Sequence, residues 1–294
     1  MLSDKVRQRI RQLQSSEART ALAIPSESRA EKNGTSESRA VGDGSATATR
    51  LNELPGHELS TGAGVCWLIR RPLGELWPDA PRYLDRAIEL AAQFAATTTY
   101  DDSIRADIGA FCAALPQRVA TLDIETCGLA GSSVFLIGLL HSHEGDICLS
   151  QFWARNYAEE RPMLAAVRDL LANQHVLVTF NGKSFDWPQI RDRSTLHERD
   201  PAAADDPLVH FDLLHHARRR WRYELPNCKL QTLERYICGR NRAGDIPGRD
   251  IPHAYHQYVR TGDTRDVQAI LHHNALDLVT LLQLALLFVP VSQT

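Results

Sequence analysis

Thr121-Leu-Asp-Ile-Glu-Thr-Cys-Gly-Leu129 decides how this chain is read, because it sets two carboxylates into a stretch otherwise apolar enough to be a buried strand. Asp123 and Glu125 are two residues apart, and in an extended strand that spacing points both to the same face. Uncompensated buried charges cost several kcal/mol each, so the pair must meet cations or hydrogen-bond donors. A divalent metal ion answers that need, and a solvated strand end is the plainer alternative.

The pattern around this stretch is that of an α/β domain. Val119 to Thr126, Val134 to His141 and Ile147 to Trp153 read as three short strands joined by turns containing Gly128, Gly131 and Gly145, which predicts an antiparallel meander. A helix is expected from 158 to 172, followed by His175 to Phe180 as a wholly apolar strand of the kind buried in a mixed sheet. Upstream, residues 64–71 read as a strand. Residues 81–96 read as a helix with Leu84, Ala87, Ile88, Leu90, Ala91 and Phe94 on one side. A second helix, capped by Asp101 or Asp102, ends before Pro116. These give a division into a short helix over 1–14, a Ser/Ala/Gly/Thr/Glu-rich linker over 15–50, a small α+β extension over 51–115, and a main domain over 116–290.

Two further clusters carry chemistry. In Phe180-Asn-Gly-Lys-Ser-Phe-Asp-Trp187, Gly182 permits a tight turn at a strand end, and Asp186 falls in the first turn of the next helix. In His272-His-Asn-Ala-Leu-Asp277, which runs into the apolar Leu278 to Leu287, a buried helix is expected to open on the polar residues. His273 and Asp277, four apart, share its face, and His272 approaches from the helix entrance. A capped helix start is the plain alternative for each.

Asp123-x-Glu125, Asn181-x-x-x-Phe185-Asp186 and His-plus-Asp277, in that order on strand, strand end and helix, resemble the three exonuclease motifs of the DEDD superfamily. More closely, the chain resembles the bacterial YprB-type ribonuclease H-like group. The residues that carry this are Asp123 to Thr126, Phe211-Asp-Leu-Leu-His215 with Trp221, Asp245-Ile-Pro-Gly248, Ile251-Pro252, Tyr255, 258–263, and His273-Asn274 with Asp277. The resemblance implies an α/β fold with a ribonuclease H-like mixed five-stranded sheet flanked by helices. It also implies 3′-5′ exonuclease activity on single-stranded DNA or RNA, with Asp123, Glu125, Asp186 and Asp277 holding two Mg²⁺ or Mn²⁺ ions about 3.5 to 4 Å apart. A histidine then takes the proton of the attacking water. Histidine members of the superfamily place it five before the last Asp, at His272, and tyrosine members use a spacing of four, at His273; the His-Asn pairing resembles the YprB group at His273.

Composition sets the outer limits. With 33 basic and 36 acidic residues the formal charge is −3, so no global positive field recruits a polyanion and contact with nucleic acid must be local. The six cysteines show no Cys-x-x-Cys pair, and no apolar signal core opens the chain, so a cytoplasmic protein with no membrane segment is expected. Between 215 and 242 eight basic residues stand against two acidic ones. Arg218, Arg219, Arg220, Arg222 and Lys229, with Trp221 among them, are the candidates to follow phosphates and stack on unpaired bases, and Asn181 and Lys183 the candidates beside Asp186. Two rival readings share these residues: a nucleic-acid-binding protein without catalysis, and a single-strand endonuclease.

Overall fold

The computed structural model describes residues 54–95, 103–197, 208–242 and 244–290. The expected helix over 1–14, the linker over 15–50 and the capping Asp101 or Asp102 lie outside the described residues.

The expected meander is present as β3 (Val119–Thr126), β4 (Val134–His143) and β5 (Asp146–Trp153), each antiparallel to the next. On the other side of β3, β6 (Val176–Thr179) and then β7 (Val209–Asp212) pair in parallel. The sheet has seven strands where five were expected, in the order β1-β2-β5-β4-β3-β6-β7. The two additional strands, β1 (His57–Thr61) and β2 (Gly64–Pro72), come from the N-terminal extension. The hairpin they form pairs antiparallel with β5 from Trp67 opposite Trp153 to Pro72 opposite Cys148. An unpaired β5 edge would expose a row of backbone donors and acceptors, and β2 satisfies them with apolar Cys66 and Leu68 turned into the core.

Helices cover both faces. One face carries α1 (Leu73–Leu76), α2 (Ala80–Ala95), α3 (Ser103–Ala114) and α6 (Leu213–Trp221), whose Ala87, Leu90, Phe111 and Ala217 share a buried cluster with Val119, Val176, Val178 and Phe211 of the sheet. On the other face, α4 (Glu160–Leu171) and α5 (Asp186–His197) pack Met163, Leu164, Val167 and Ile190 against Leu122, Ile124 and Leu139. The short α7 (Leu230–Tyr236), then α8 (Ile251–Thr261) and α9 (Arg265–Leu286) complete the chain.

The last helix differs from the expectation. It begins at Arg265, not at the His-His-Asn segment, so Asp277 lies deep within it. Val267, Ile270 and Leu271 precede the polar residues at i, i+3 and i+4 and are buried, so the helical stripe runs on through Asn274 and Ala275. By length and composition α9 could cross a bilayer, but 78% of its apolar window is buried inside the fold, as befits a core helix. It lies across β3 and β4, where Gly138 makes room: a Cβ there would stand 2.6 Å from Leu278 Cδ1 and closer still to the Asn274 amide.

Candidate active site

Asp123 sits in mid-strand on β3, with Gly138 of β4 and then Gln151 of β5 beside it in register. Because Gly138 carries no side chain, Asn274 of α9 comes down onto this row. Its amide donates to Asp123 Oδ2 (2.8 Å) and to the Asp123 carbonyl (3.2 Å), and its Oδ1 accepts from Gln151 Nε2 (2.9 Å). Every polar atom of the Asn274 amide is therefore spoken for, which fixes its orientation and that of the carboxylate it touches.

Glu125 follows two residues on, on the same face, at the bulge where pairing slips from Glu125 opposite Leu136 to Thr126 opposite Val134. Asp186 comes from the third element. β6 ends at Thr179, before it can pair with Ile124, and the Asp186 carboxylate accepts the freed Ile124 N–H as well as its own. The loop that delivers Asp186 is clamped by Asp212, which is buried at the end of β7. Its oxygens accept from Asn181 N (2.8 Å), Lys183 N (3.1 Å) and Leu214 N (3.0 Å), the last capping α6. Asn181 adopts the left-handed conformation (φ 65°) that asparagine tolerates, and a Cβ on Gly182 would meet Thr179 Cγ2 at 2.7 Å.

Asp277 and His273 reach the same recess from one face of α9. His273 Nε2 lies 3.5 Å from Asp277 Oδ2 and 4.0 Å from Glu125 Oε1, and its Nδ1 meets Asp245 Oδ2 at 2.9 Å. The structure thus gathers Asp123, Glu125, Asp186, Asp277 and His273 from three separate stretches of sequence. His272, one residue and about 100° further round the helix, is exposed and outside this group.

The electrostatics are those of crowded like charges. Removal from water, then the negative charges of Asp277, Glu125 and Asp186, raise the Asp123 pKa well above the ordinary carboxylate value. Desolvation, followed by repulsion from Asp277, Asp186 and Asp245, pushes Glu125 up to about 8. Asp186 is pushed up to about 7, again chiefly by desolvation. Such a set of hard oxygen ligands, which a bound cation would keep ionised, fits a divalent metal ion. Among the described residues no three His, Cys, Asp or Glu side chains stand ready as a metal cage. The cation present is Arg242, whose guanidinium donates to Asp277 Oδ1, to Asp245 Oδ2 (3.1 Å) and to Glu234 Oε2.

The residues expected to bind nucleic acid divide. Asn181 and Lys183 are exposed on the loop beside Asp186, with Lys183 Nζ 3.7 Å from Asp107 of α3; Phe185 on the same loop, not among the candidates, is exposed as well. Arg218, Arg219, Arg222 and Lys229 are exposed. Arg220, also exposed, donates to the Leu287 carbonyl and lies over the Trp221 and Phe288 rings. Trp221 is corrected outright: it is 1% exposed and packed into the core, so it offers no face to a base, whereas Tyr223 is 81% exposed. The basic stripe is also weaker than its count, since Arg240 and Arg242 pair with Glu234.

Sequence reasoning missed Arg242, Asp245, Asn274 and Gly138 as parts of the site. Asp245 and Asn274 were visible only within the resembling motifs, and Arg242 was read as one of the stripe. Residues 120–289 match the family model for the RNase_H superfamily. The chain belongs to the RNase H superfamily. Among curated proteins, this chain is similar to the uncharacterized protein YprB of Bacillus subtilis strain 168, with 35% identity over 167 residues that cover 55% of this chain. The chain spans only 40% of the length of that relative. Among solved structures, this RNase H superfamily chain is similar to the family B DNA polymerase of Pyrobaculum calidifontis, with a TM-score of 0.46 and 17% identity over 58% of this chain and 24% of the polymerase.

Proposed function

We propose that this chain is a metal-dependent 3′-5′ exonuclease of the DEDD kind, hydrolysing phosphodiester bonds of single-stranded DNA or RNA, with its catalytic domain over 116–290. The observation that carries the reading is the convergence of Asp123, Glu125, Asp186 and Asp277 on one recess, where burial first and their mutual repulsion second raise the pKa of Asp123, Glu125 and Asp186. Asp123, on β3 with the other three carboxylates around it, would hold two Mg²⁺ or Mn²⁺ ions together with Glu125, Asp186 and Asp277. When bound, such ions activate a water and neutralise charge on the leaving oxygen of an in-line displacement.

The chain supplies the rest. Asn274 holds the Asp123 carboxylate in one orientation. His273 accepts the proton of the attacking water at Nε2, the ring nitrogen turned toward Glu125 and Asp277, while Asp245 holds Nδ1. Asn181, Lys183 and Phe185, exposed on the loop beside Asp186, line the approach of a single strand.

The test uses 5′-labelled DNA and RNA oligonucleotides with free or blocked 3′ ends, in Mn²⁺. The expected result is a ladder shortening from free 3′ ends only, abolished by Asp123→Asn. Cutting of blocked substrates makes the protein an endonuclease, and binding without cutting makes it a nucleic-acid-binding protein.

A further inference from the structure

A second recess opens on the far face of the sheet. His141 and His143 alternate along β4 with Gly138, the residue on which Asn274 rests, so they point away from Asp123 and its neighbours. With Arg70 of β2 and Gln174, just beyond α4, they line a cavity of about 310 Å³. One end is cationic, and its partners are neutral. Arg70 Nε donates to Ser150 Oγ (3.3 Å) and Nη1 to His143 Nε2 (2.8 Å), and Nη2 is engaged by no described residue. His141 donates from Nδ1 to the Ser142 carbonyl (2.9 Å), so its Nε2 accepts from the Ser150 hydroxyl (2.9 Å). Desolvation first, and then the charge of Arg70, lowers the His141 pKa and keeps that ring neutral. Among the described residues no carboxylate pairs with Arg70, and Glu144, 3.8 Å from His143 Nε2, is exposed. The other end offers an acceptor. Gln174 is 8% exposed, and its Oε1 has no hydrogen-bond partner among the described residues. A buried oxygen left so costs about 1 to 3 kcal/mol. Gln174 N donates to the Leu171 carbonyl (2.9 Å), so the negative end of α4 lies here and an anion is favoured at Arg70 instead.

We propose that this cavity is a binding site for a nucleoside 5′-monophosphate, with the phosphate on Arg70 and the base edge on Gln174. A guanidinium engages a phosphate through paired hydrogen bonds. A carboxamide meets a base edge with one acceptor and one donor, and every nucleobase carries an amino or imino N–H for the unpartnered oxygen. Leu68, Phe152 and Leu170 supply apolar lining for the faces of base and ribose, in a volume at the low end of the roughly 300 to 1,000 Å³ of small-ligand sites. The anchors are spaced for a whole nucleotide. Arg70 is on β2, whereas the chain just past Gln174 is tied to the entry of β3, where His175 N donates to the Arg118 carbonyl (2.8 Å). Three interstrand spacings, about 14 Å between backbones, separate the two, and the side chains reach inward from both. Free phosphate answers the Arg70 end alone and leaves Gln174 unsatisfied. The ligand is of the class that the hydrolysis proposed above releases, but its binding here needs no metal and does not rest on that reading.

Calorimetric titration of the full chain in EDTA with AMP, CMP, GMP, UMP, ribose 5-phosphate and inorganic phosphate tests it. At least one nucleotide is expected to bind saturably at one site per chain, with ribose 5-phosphate and inorganic phosphate at least about tenfold weaker. Arg70→Gln should weaken the nucleotide by about ten- to a hundredfold, as befits loss of a charge-assisted hydrogen bond. Gln174→Leu should weaken it by about tenfold while leaving ribose 5-phosphate unchanged and thermal stability undiminished, because the oxygen removed has no partner in the fold. Arg70 is exposed, so Arg70→Gln should fold, which a thermal melt checks; Gln174→Leu carries the test alone if it does not. Absence of binding by every nucleotide overturns the proposal, as does equal binding by wild type and both variants. Equal affinity for nucleotide and inorganic phosphate also overturns it and makes the cavity an anion site only. None of these outcomes touches the two-ion reading, which the Mn²⁺-dependent cleavage assay decides by itself.

Discussion

The Asn274 side chain on α9 donates to Asp123 Oδ2 at 2.8 Å, across a gap that exists because residue 138 is glycine. This single contact ties α9 to β3, and it orients the carboxylate about which the recess is built. Residues that orient metal ligands from behind commonly change affinity or activity by about 10- to 100-fold when removed. Asn274→Ala is therefore expected to weaken Mn²⁺ binding by that order, measured by titration. Loss of its buried hydrogen bonds should also cost about 1 to 3 kcal/mol of stability. An Asn274→Ala protein that binds Mn²⁺ as wild type does would show that the contact is packing alone.

The crowded carboxylates give the metal-free protein a stability that depends on pH. Glu125 titrates at about 8 and Asp186 at about 7 in the fold, against ordinary values of 4.5 and 3.8. Between those limits the folded state binds more protons than the unfolded chain, so the contribution is fully present below the unfolded values and is lost as pH rises through 7 to 8. Half-buried His210, depressed by desolvation to about 4, contributes with the opposite sign, but only up to the ordinary histidine value of 6.5. Thermal melts in EDTA from about pH 6.5 to pH 8.5 should thus show a falling Tm, and added Mn²⁺ should reverse the fall. A Tm that rises or stays level over that range without metal contradicts the crowding.

Trp221 and Tyr223 separate packing from contact with substrate. Trp221 lies in the core with Phe288, so Trp221→Ala should lose about 3 to 5 kcal/mol in denaturant melts. Tyr223, exposed beneath the Arg222 guanidinium, should leave stability within about 0.5 kcal/mol when changed to Ala. If it stacks on a base, Tyr223→Ala should weaken single-strand binding by about 1 to 3 kcal/mol in a fluorescence titration. The reverse pattern, a destabilised Tyr223→Ala with unchanged binding, would move the tyrosine into the fold.

What the sequence determined by itself was everything written in local periodicity. The apolar content of 119–126, the turn at Gly145 and the apolar run of 175–180 gave the meander and a buried strand of a mixed sheet, and the same-face spacing of Asp123 and Glu125 gave the first half of the site. Two-residue and four-residue spacings are properties of a strand and a helix wherever those lie, so they survive without knowledge of the fold. The tertiary structure decided what depends on neighbours distant in the chain. A hairpin from the extension became part of the sheet because β5 had an open edge to pair. Trp221 and Tyr223, two residues apart in one basic run, went to the core and to solvent because only the packing of α6 on the sheet distinguishes them. His273 was placed in the recess and His272 outside it by the rotation of α9, and that rotation is fixed where Asn274 meets Gly138. Arg242 became the counter-charge of Asp277, 35 residues away, because a carboxylate largely removed from water needs a cation nearby and only the folded chain can bring one to it.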